Sequence, residues 1–204
     1  MSNFKKRFII SLLAFPIIYI LLCQKIFSNF LIFIVFIFCV YEWNKIFIKK
    51  NYIYLLGFLI LLVFLFSLLK IYNAESYNLK FLWLVLIAWL TDIGGYIFGK
   101  LFGGPKLIKI SPNKTWSGVI GSIILSQFAC LIFFFDNNYK IDLNIFFYQL
   151  LLSITGQIGD ILMSYIKRMN DKKDTSNFIP GHGGFLDRVD GLIWIFILGN
   201  FLIL

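Results

Sequence analysis

Four aspartates are the residues best placed to do chemistry. Asp92 lies in Leu90-Thr91-Asp92-Ile93-Gly94-Gly95-Tyr96 and Asp160 in Gly156-Gln157-Ile158-Gly159-Asp160, each in an otherwise apolar run. Near a bilayer centre an ionised group costs on the order of 3 kcal/mol, so each needs a reason to be there. Asp187 and Asp190 are three apart and share one face of a helix. Carboxylates converging at one depth repel one another in a low dielectric unless a cation neutralises them. Oxygen donors without Cys or clustered His favour Mg²⁺ or Mn²⁺ over zinc. A divalent site at Asp160 and Asp187, with Asp190 and Asp92 contributing, is therefore expected, and a second cation could share so many carboxylates. The alternative is that each Asp pairs with a nearby Lys or Arg.

Around these acids the chain gathers charge. Ser164 to Asp190 reads SYIKRMNDKKDTSNFIPGHGGFLDRVD and holds the only histidine, His182, five of the 19 basic residues (Lys167, Arg168, Lys172, Lys173, Arg188) and four of the 10 acidic ones, Asp174 among them. In a chain that is 60% hydrophobic, such a polar island is expected to meet water and act there. Pro180-Gly181-His182-Gly183-Gly184 lets backbone approach a ligand, since glycine lacks a Cβ and tolerates positive φ; a tight turn explains the glycines equally well. His182 is a candidate phosphate donor or metal-shell partner. Upstream, Ser111-Pro112-Asn113-Lys114-Thr115-Trp116 precedes an apolar run. Ser or Thr there would cap a helix whose free N–H groups favour an anion, and Lys114 adds a point charge for phosphate.

These residues must be positioned by membrane helices. Mean hydropathy is +0.85, and runs such as 30–40 carry no charge, so a water-soluble domain is excluded. The expected fold is an all-α, polytopic transmembrane bundle with polar cytoplasmic-side loops. With about 20 apolar residues per span, about seven spans are expected, near 8–23, 29–47, 52–70, 80–99, 117–135, 144–163 and 189–204. No repeat or linker interrupts them, so 1–204 reads as one integral domain, with N-terminal helices over 1–75 and catalytic helices and loops over 76–204. Alternate loops sort the 19 basic residues fifteen to four, which puts the N-terminus, the 100–116 loop and the island on the cytoplasmic face. The net charge of +9 then reflects orientation, and no nucleic-acid partner is expected. Cys23, Cys39 and Cys130 read as buried small hydrophobes. Glu42, beside Trp43 and Lys45, reads as an interfacial anchor or ion-pair partner.

The island resembles the signature of the phosphatidate cytidylyltransferase (CDP-diacylglycerol synthase) family. Ser164, Lys167-Arg168, Lys173-Asp174, Pro180, His182-Gly183-Gly184 and Asp187-Arg188-Val189-Asp190 fill every position of that pattern. Gly159-Asp160, Thr91-Asp92 and the 111–116 segment are similar to further family features, and the resemblance covers roughly the C-terminal 60% of the chain. Position 113 departs from it, with Asn where Lys is expected, and the chain is shorter than most members. The resemblance implies that CTP and phosphatidic acid give CDP-diacylglycerol and pyrophosphate in the membrane, with Mg²⁺. It associates the acids at Asp160 and Asp187 with the metal centre and the basic positions with the phosphates. With the reading of the residues, Asp160, Asp187, Lys167, Arg168 and His182 are the expected catalytic residues, and Ser111, Lys114, Thr115, Ser164, Lys173, Asp174, Gly183, Gly184 and Arg188 the expected substrate contacts. The Phe-, Ile-, Lys- and Asn-rich composition points to a bacterium, hence to its inner membrane, and a homodimer is a possible assembly.

Two other classes compete. A transporter would also carry intramembrane acids, but near the midplane and in broken helices, whereas these residues crowd one edge. Another CTP-dependent lipid kinase or transferase would share the parts and differ in the group transferred.

Overall fold

The computed structural model describes residues 25–47, 51–74, 77–108, 111, 114–135, 142–176 and 183–203. The described residues form six α-helices: α1 (Lys25–Ile46), α2 (Tyr52–Asn73), α3 (Tyr77–Phe102), α4 (Trp116–Ser126), α5 (Leu143–Met169) and α6 (Leu186–Ile203). A 3₁₀ stretch, Gln127–Phe135, prolongs α4. The described residues contain no β-strand, only an isolated bridge between Lys106 and Thr115. Helices suit lipid because each satisfies its own backbone polar groups.

Five helices, over Phe27–Ile46, Tyr52–Asn73, Leu79–Phe102, Trp116–Phe133 and Leu143–Met169, are long and apolar enough to cross a membrane. They coincide with five of the seven expected spans. The span expected at 8–23 lies outside the described residues. The last coincides with α6, which begins Leu186-Asp187-Arg188-Val189-Asp190 and is not among the five; three charges in its opening turns dilute it. Phe30, Ile37, Leu55, Phe66, Leu101 and Phe201 are exposed, as a lipid-facing surface requires. Where caps are needed, Asn51, Thr115 and Asp142 side chains accept from the N–H groups of Tyr54, Gly118 and Ile145, each satisfying one orphan donor.

α6 packs on α1, α2, α3 and α5. Phe196 is fully buried and meets Phe64 and Phe81 edge-on, with ring centroids 6.2 and 5.0 Å away. α5 approaches α6 closely because Gly156 leaves room: a Cβ there would strike Ile195 Cδ1 at 2.7 Å. The tightest crossing is α3 on α4. A Cβ at Gly94 would fall 2.8 Å from the Gly121 carbonyl carbon and 2.9 Å from Ser122 Cα, so small residues on both helices set the approach. Across it Ser122 Oγ donates to the Thr91 carbonyl (2.6 Å) and Thr91 Oγ1 to Ser153 Oγ (3.0 Å). This polar ladder ties α4, α3 and α5. Farther along, the carboxamide oxygen of buried Gln149 accepts from Trp83 Nε1 (3.0 Å) and from the Cys130 N–H (2.7 Å) in the 3₁₀ stretch. Cys39 and Cys130 are free and buried, as expected; Cys23 lies outside the described residues.

Candidate active site

The α3–α4 crossing fixes the first wall of the site. Gly103 and Gly104, at φ 58° and 102°, turn the chain at the end of α3. The loop then folds back through Leu107 N–H to the Lys114 carbonyl (2.8 Å), Lys114 N–H to the Ser111 carbonyl (3.1 Å) and Trp116 N–H to the Pro105 carbonyl (3.2 Å). Ser117 Oγ donates to the Gly103 carbonyl, and Thr115 starts α4 as its N-cap, as the sequence predicts. A cavity of about 510 Å³ results, lined among others by Asp92, Ser111, Lys114, Thr115, Asp160 and Arg188.

Within it Lys114 Nζ lies 2.5 Å from Asp160 Oδ2. Asp92 is in the field of Asp160 as a like charge and of Lys114 and Arg188 as opposite ones. Asp190 is in the field of Asp160 and Asp92, with Lys167 as its nearby cation. Helices α3 and α5 thus set Asp92 and Asp160 on one cavity, and α6 holds Asp190 within the field of both. Gln157 also lines the cavity, and its Nε2 is buried without a hydrogen-bond partner among the described residues. A buried donor left unpaired costs about 1–3 kcal/mol, so Gln157 is a candidate donor to a ligand oxygen.

The island forms the second wall. Lys167, at the end of α5, pairs with Asp187 Oδ1 at 2.6 Å, and both side chains are about nine-tenths buried. Asp187 Oδ2 accepts from the N–H groups of Thr175 (2.9 Å) and Gly184 (3.0 Å). Burial alone would raise the Asp187 carboxyl, but the Lys167 bond and these two N–H groups hold it below the usual carboxylate range. Gly183, at φ 81°, occupies a left-handed turn, and a Cβ at Gly184 would fall 2.9 Å from the Ser176 nitrogen. The two glycines thus serve close packing as well as any ligand. Arg168 Nη1 donates to the Lys172 carbonyl (2.9 Å) and Lys172 Nζ to the Lys45 carbonyl. Lys173 and Asp174 are exposed, and Ser164 is half-buried on α5. Pro180 and His182 lie outside the described residues.

Glu42, read from the sequence as an interfacial anchor or ion-pair partner, makes no ion pair among the described residues: it is 1% exposed, and its oxygens accept four uncharged donors. Oε1 takes Ser176 Oγ (2.6 Å) and Phe185 N–H (2.9 Å); Oε2 takes Thr175 Oγ1 (2.7 Å) and Leu186 N–H (2.7 Å). Thr175 and Ser176 were missed with it, and no local pattern marks them, because their partner is 133 and 134 residues away.

As to a cation, the alternative of Asp–Lys pairing describes two of the four aspartates. Among the described residues no three Asp, Glu, His or Cys side chains form a compact ligand cluster. The carboxylates that face the cavity, Asp92 and Asp160, nevertheless offer the oxygen donors a hard divalent ion takes, and an ammonium sits on Asp160 and another on Asp187 where positive charge is wanted.

Fold and site together define an integral-membrane helical protein with a charged cavity at the end of its spans. Residues 3–204 match the Cytidylyltransferase family, and the chain belongs to that family. It is 43% identical over 137 residues to the phosphatidate cytidylyltransferase of Staphylococcus haemolyticus (strain JCSC1435), an alignment covering 65% of this chain and 52% of that protein. The enzymes of that name from Staphylococcus saprophyticus subsp. saprophyticus and Staphylococcus aureus (strain COL) are 41% and 40% identical, over 66% and 65% of this chain and 53% and 52% of theirs. The chain thus spans about half the length of the curated relatives it matches.

Proposed function

We propose that this chain transfers the CMP moiety of CTP to phosphatidic acid, giving CDP-diacylglycerol and pyrophosphate. The observation that carries this is the cavity in which Lys114 and Arg188 face Asp92 and Asp160 at the end of apolar helices, in a chain similar to enzymes named phosphatidate cytidylyltransferase.

A phosphate monoester has a second pKa of about 6, so the lipid phosphate oxygen is already a nucleophile at neutral pH and no strong base is required. That oxygen bonds to the α-phosphorus of CTP as the bond from that phosphorus to the pyrophosphate oxygen breaks, and the electron pair leaves with pyrophosphate. The protein's task is to hold two anions together in line and neutralise the charge that accumulates on the leaving group. Lys114 can exchange Asp160 for a phosphate oxygen, Arg188 offers a fork of donors from the facing wall, and Gln157 a neutral one. Thr115 keeps the α4 N-terminus formed, and with Ser111 it lines the same wall.

Asp160, Asp92 and Asp190 would hold Mg²⁺ (or Mn²⁺), with Asp187 joining, or holding a second cation, only by giving up Lys167. Bound there, the ion supplies charge neutralisation at the phosphates. The bacterial relatives support a bacterial cell membrane location, and the bias of basic residues supports a cytoplasmic N-terminus and cavity, so that CTP arrives from the cytosol and the lipid laterally.

Purified in detergent with CTP, phosphatidate and Mg²⁺, the protein is expected to form CDP-lipid, and Asp160→Ala to form almost none. Absence of product, or full activity in Asp160→Ala, overturns the proposal.

A further inference from the structure

One stripe of α1 holds both ends of the island. Phe38, Glu42 and Lys45 follow one another at helical spacing, i, i+4, i+7, and so share a face. The Phe38 ring lies 5.9 Å from that of Phe185. Glu42 takes Thr175 and Ser176 on one side and Phe185 and Leu186 on the other. The Lys45 carbonyl takes Lys172. The last of these partners, Leu186, opens α6, so Glu42 also brings negative charge to a helix N-terminus, where it is stabilised.

Thr175 connects this clamp to the candidate site. Its N–H and Oγ1 lie 2.9 and 3.1 Å from Asp187 Oδ2, while Oγ1 lies closer, 2.7 Å, to Glu42 Oε2. One hydroxyl proton cannot serve two carboxylates at once, and the shorter contact places it on Glu42. Asp187 in turn orients Lys167.

We propose that Glu42 is a positioning residue for the transfer reaction: through Thr175 and the Phe185 and Leu186 N–H groups it sets the geometry of the Asp187–Lys167 pair, making α1 part of the active-site architecture. The inference rests on the proposed reaction for its kinetic readout, and a second readout is independent of activity. Both use the full chain in detergent as wild type, Glu42→Gln, Thr175→Val and the double variant.

In Glu42→Gln, amide hydrogen exchange is expected to accelerate about tenfold or more in peptides covering 172–176 and 183–188, with α4 unchanged. Unchanged protection there, or acceleration spread equally over all helices, overturns the clamp. In turnover, each single variant is expected to lose about tenfold in kcat with the KM for CTP within about twofold, and the double variant to be no worse than the poorer single, as residues acting in one chain are non-additive. Multiplying losses, near a hundredfold together, or wild-type kcat in Glu42→Gln, overturn the positioning role. Should Glu42→Gln not fold, the milder Thr175→Val decides by the same kinetic criterion. A wild-type protein without transferase activity overturns the reaction and leaves the exchange result to judge the clamp.

Discussion

Adding one methyl group at Gly94 should separate α3 from α4 and damage the cavity wall they hold. The built Cβ meets backbone, the Gly121 carbonyl carbon at 2.8 Å and Ser122 Cα at 2.9 Å, which cannot turn aside as a side chain could. Overpacking of this kind costs about 1–3 kcal/mol. Parting the helices also strains the Ser122–Thr91 hydrogen bond, worth about 0.5–1.5 kcal/mol, so Gly94→Ala should cost about 2–4 kcal/mol in all. One residue on, Gly95→Ala meets only Ser122 Oγ, at 2.9 Å, a terminal atom that can rotate away at the expense of that one bond, for about 1 kcal/mol. Because Lys114 and Thr115 ride on the start of α4, Gly94→Ala should also lower kcat/KM, and Gly95→Ala much less. Equilibrium unfolding in mixed micelles, followed by Trp fluorescence, measures the first pair of numbers and CDP-lipid formation the second. A Gly94→Ala protein within about 0.5 kcal/mol of the parent, or more stable than Gly95→Ala, would refute the tight backbone crossing.

Further outcomes follow from the two ion pairs and the glycine beside Glu42. Lys167→Met strands Asp187 in a buried place and should cost about 3–5 kcal/mol, whereas Lys114→Met, whose pair is 24% and 36% exposed, should cost at most about 1 kcal/mol yet lose more activity than stability predicts; unfolding curves and turnover separate the two. Gly184→Ala should destabilise by about 1–3 kcal/mol, since its Cβ would press on Glu42 Oε2 at 2.5 Å and on the Ser176 nitrogen; a neutral effect in a thermal melt would count against the packed island. Gln157→Leu, removing an unpaired buried donor, should leave stability unchanged or raised and weaken substrate use, read as a higher KM. Chelation should abolish product formation with helical circular dichroism intact, and Mg²⁺ or Mn²⁺ should restore it; synthesis in excess chelator would contradict the cation site.

What was legible in the sequence is what short-range physics writes there. Five spans follow from the length a bilayer demands, Thr115 from the chemistry of helix caps, and the place of Asp92 and Asp160 on one cavity from acids set at one depth in apolar runs. The meeting of Lys114 with Asp160 was legible only as an alternative. Hidden were the features made by packing between distant segments. Glu42 near Trp43 and Lys45 looks like any interfacial acid; only the tertiary fold brings it to four donors in the island. Asp187 reads as a free ligand, yet both its oxygens are engaged. The glycines of α3 and α4 carry no periodic signal strong enough to name their partners. α6, read as a last span by its apolar content, is an 18-residue helix that packs on α1, α2, α3 and α5 and carries the charged end of the island in its first turns.

The transfer itself is tested most directly by following the label. With CTP labelled at the α-phosphorus in one reaction and at the γ-phosphorus in another, the purified protein with phosphatidate and Mg²⁺ should place α-label in the lipid and γ-label in released pyrophosphate. Appearance of γ-label in the lipid, the mark of a kinase, or of no label there from either CTP, would contradict it.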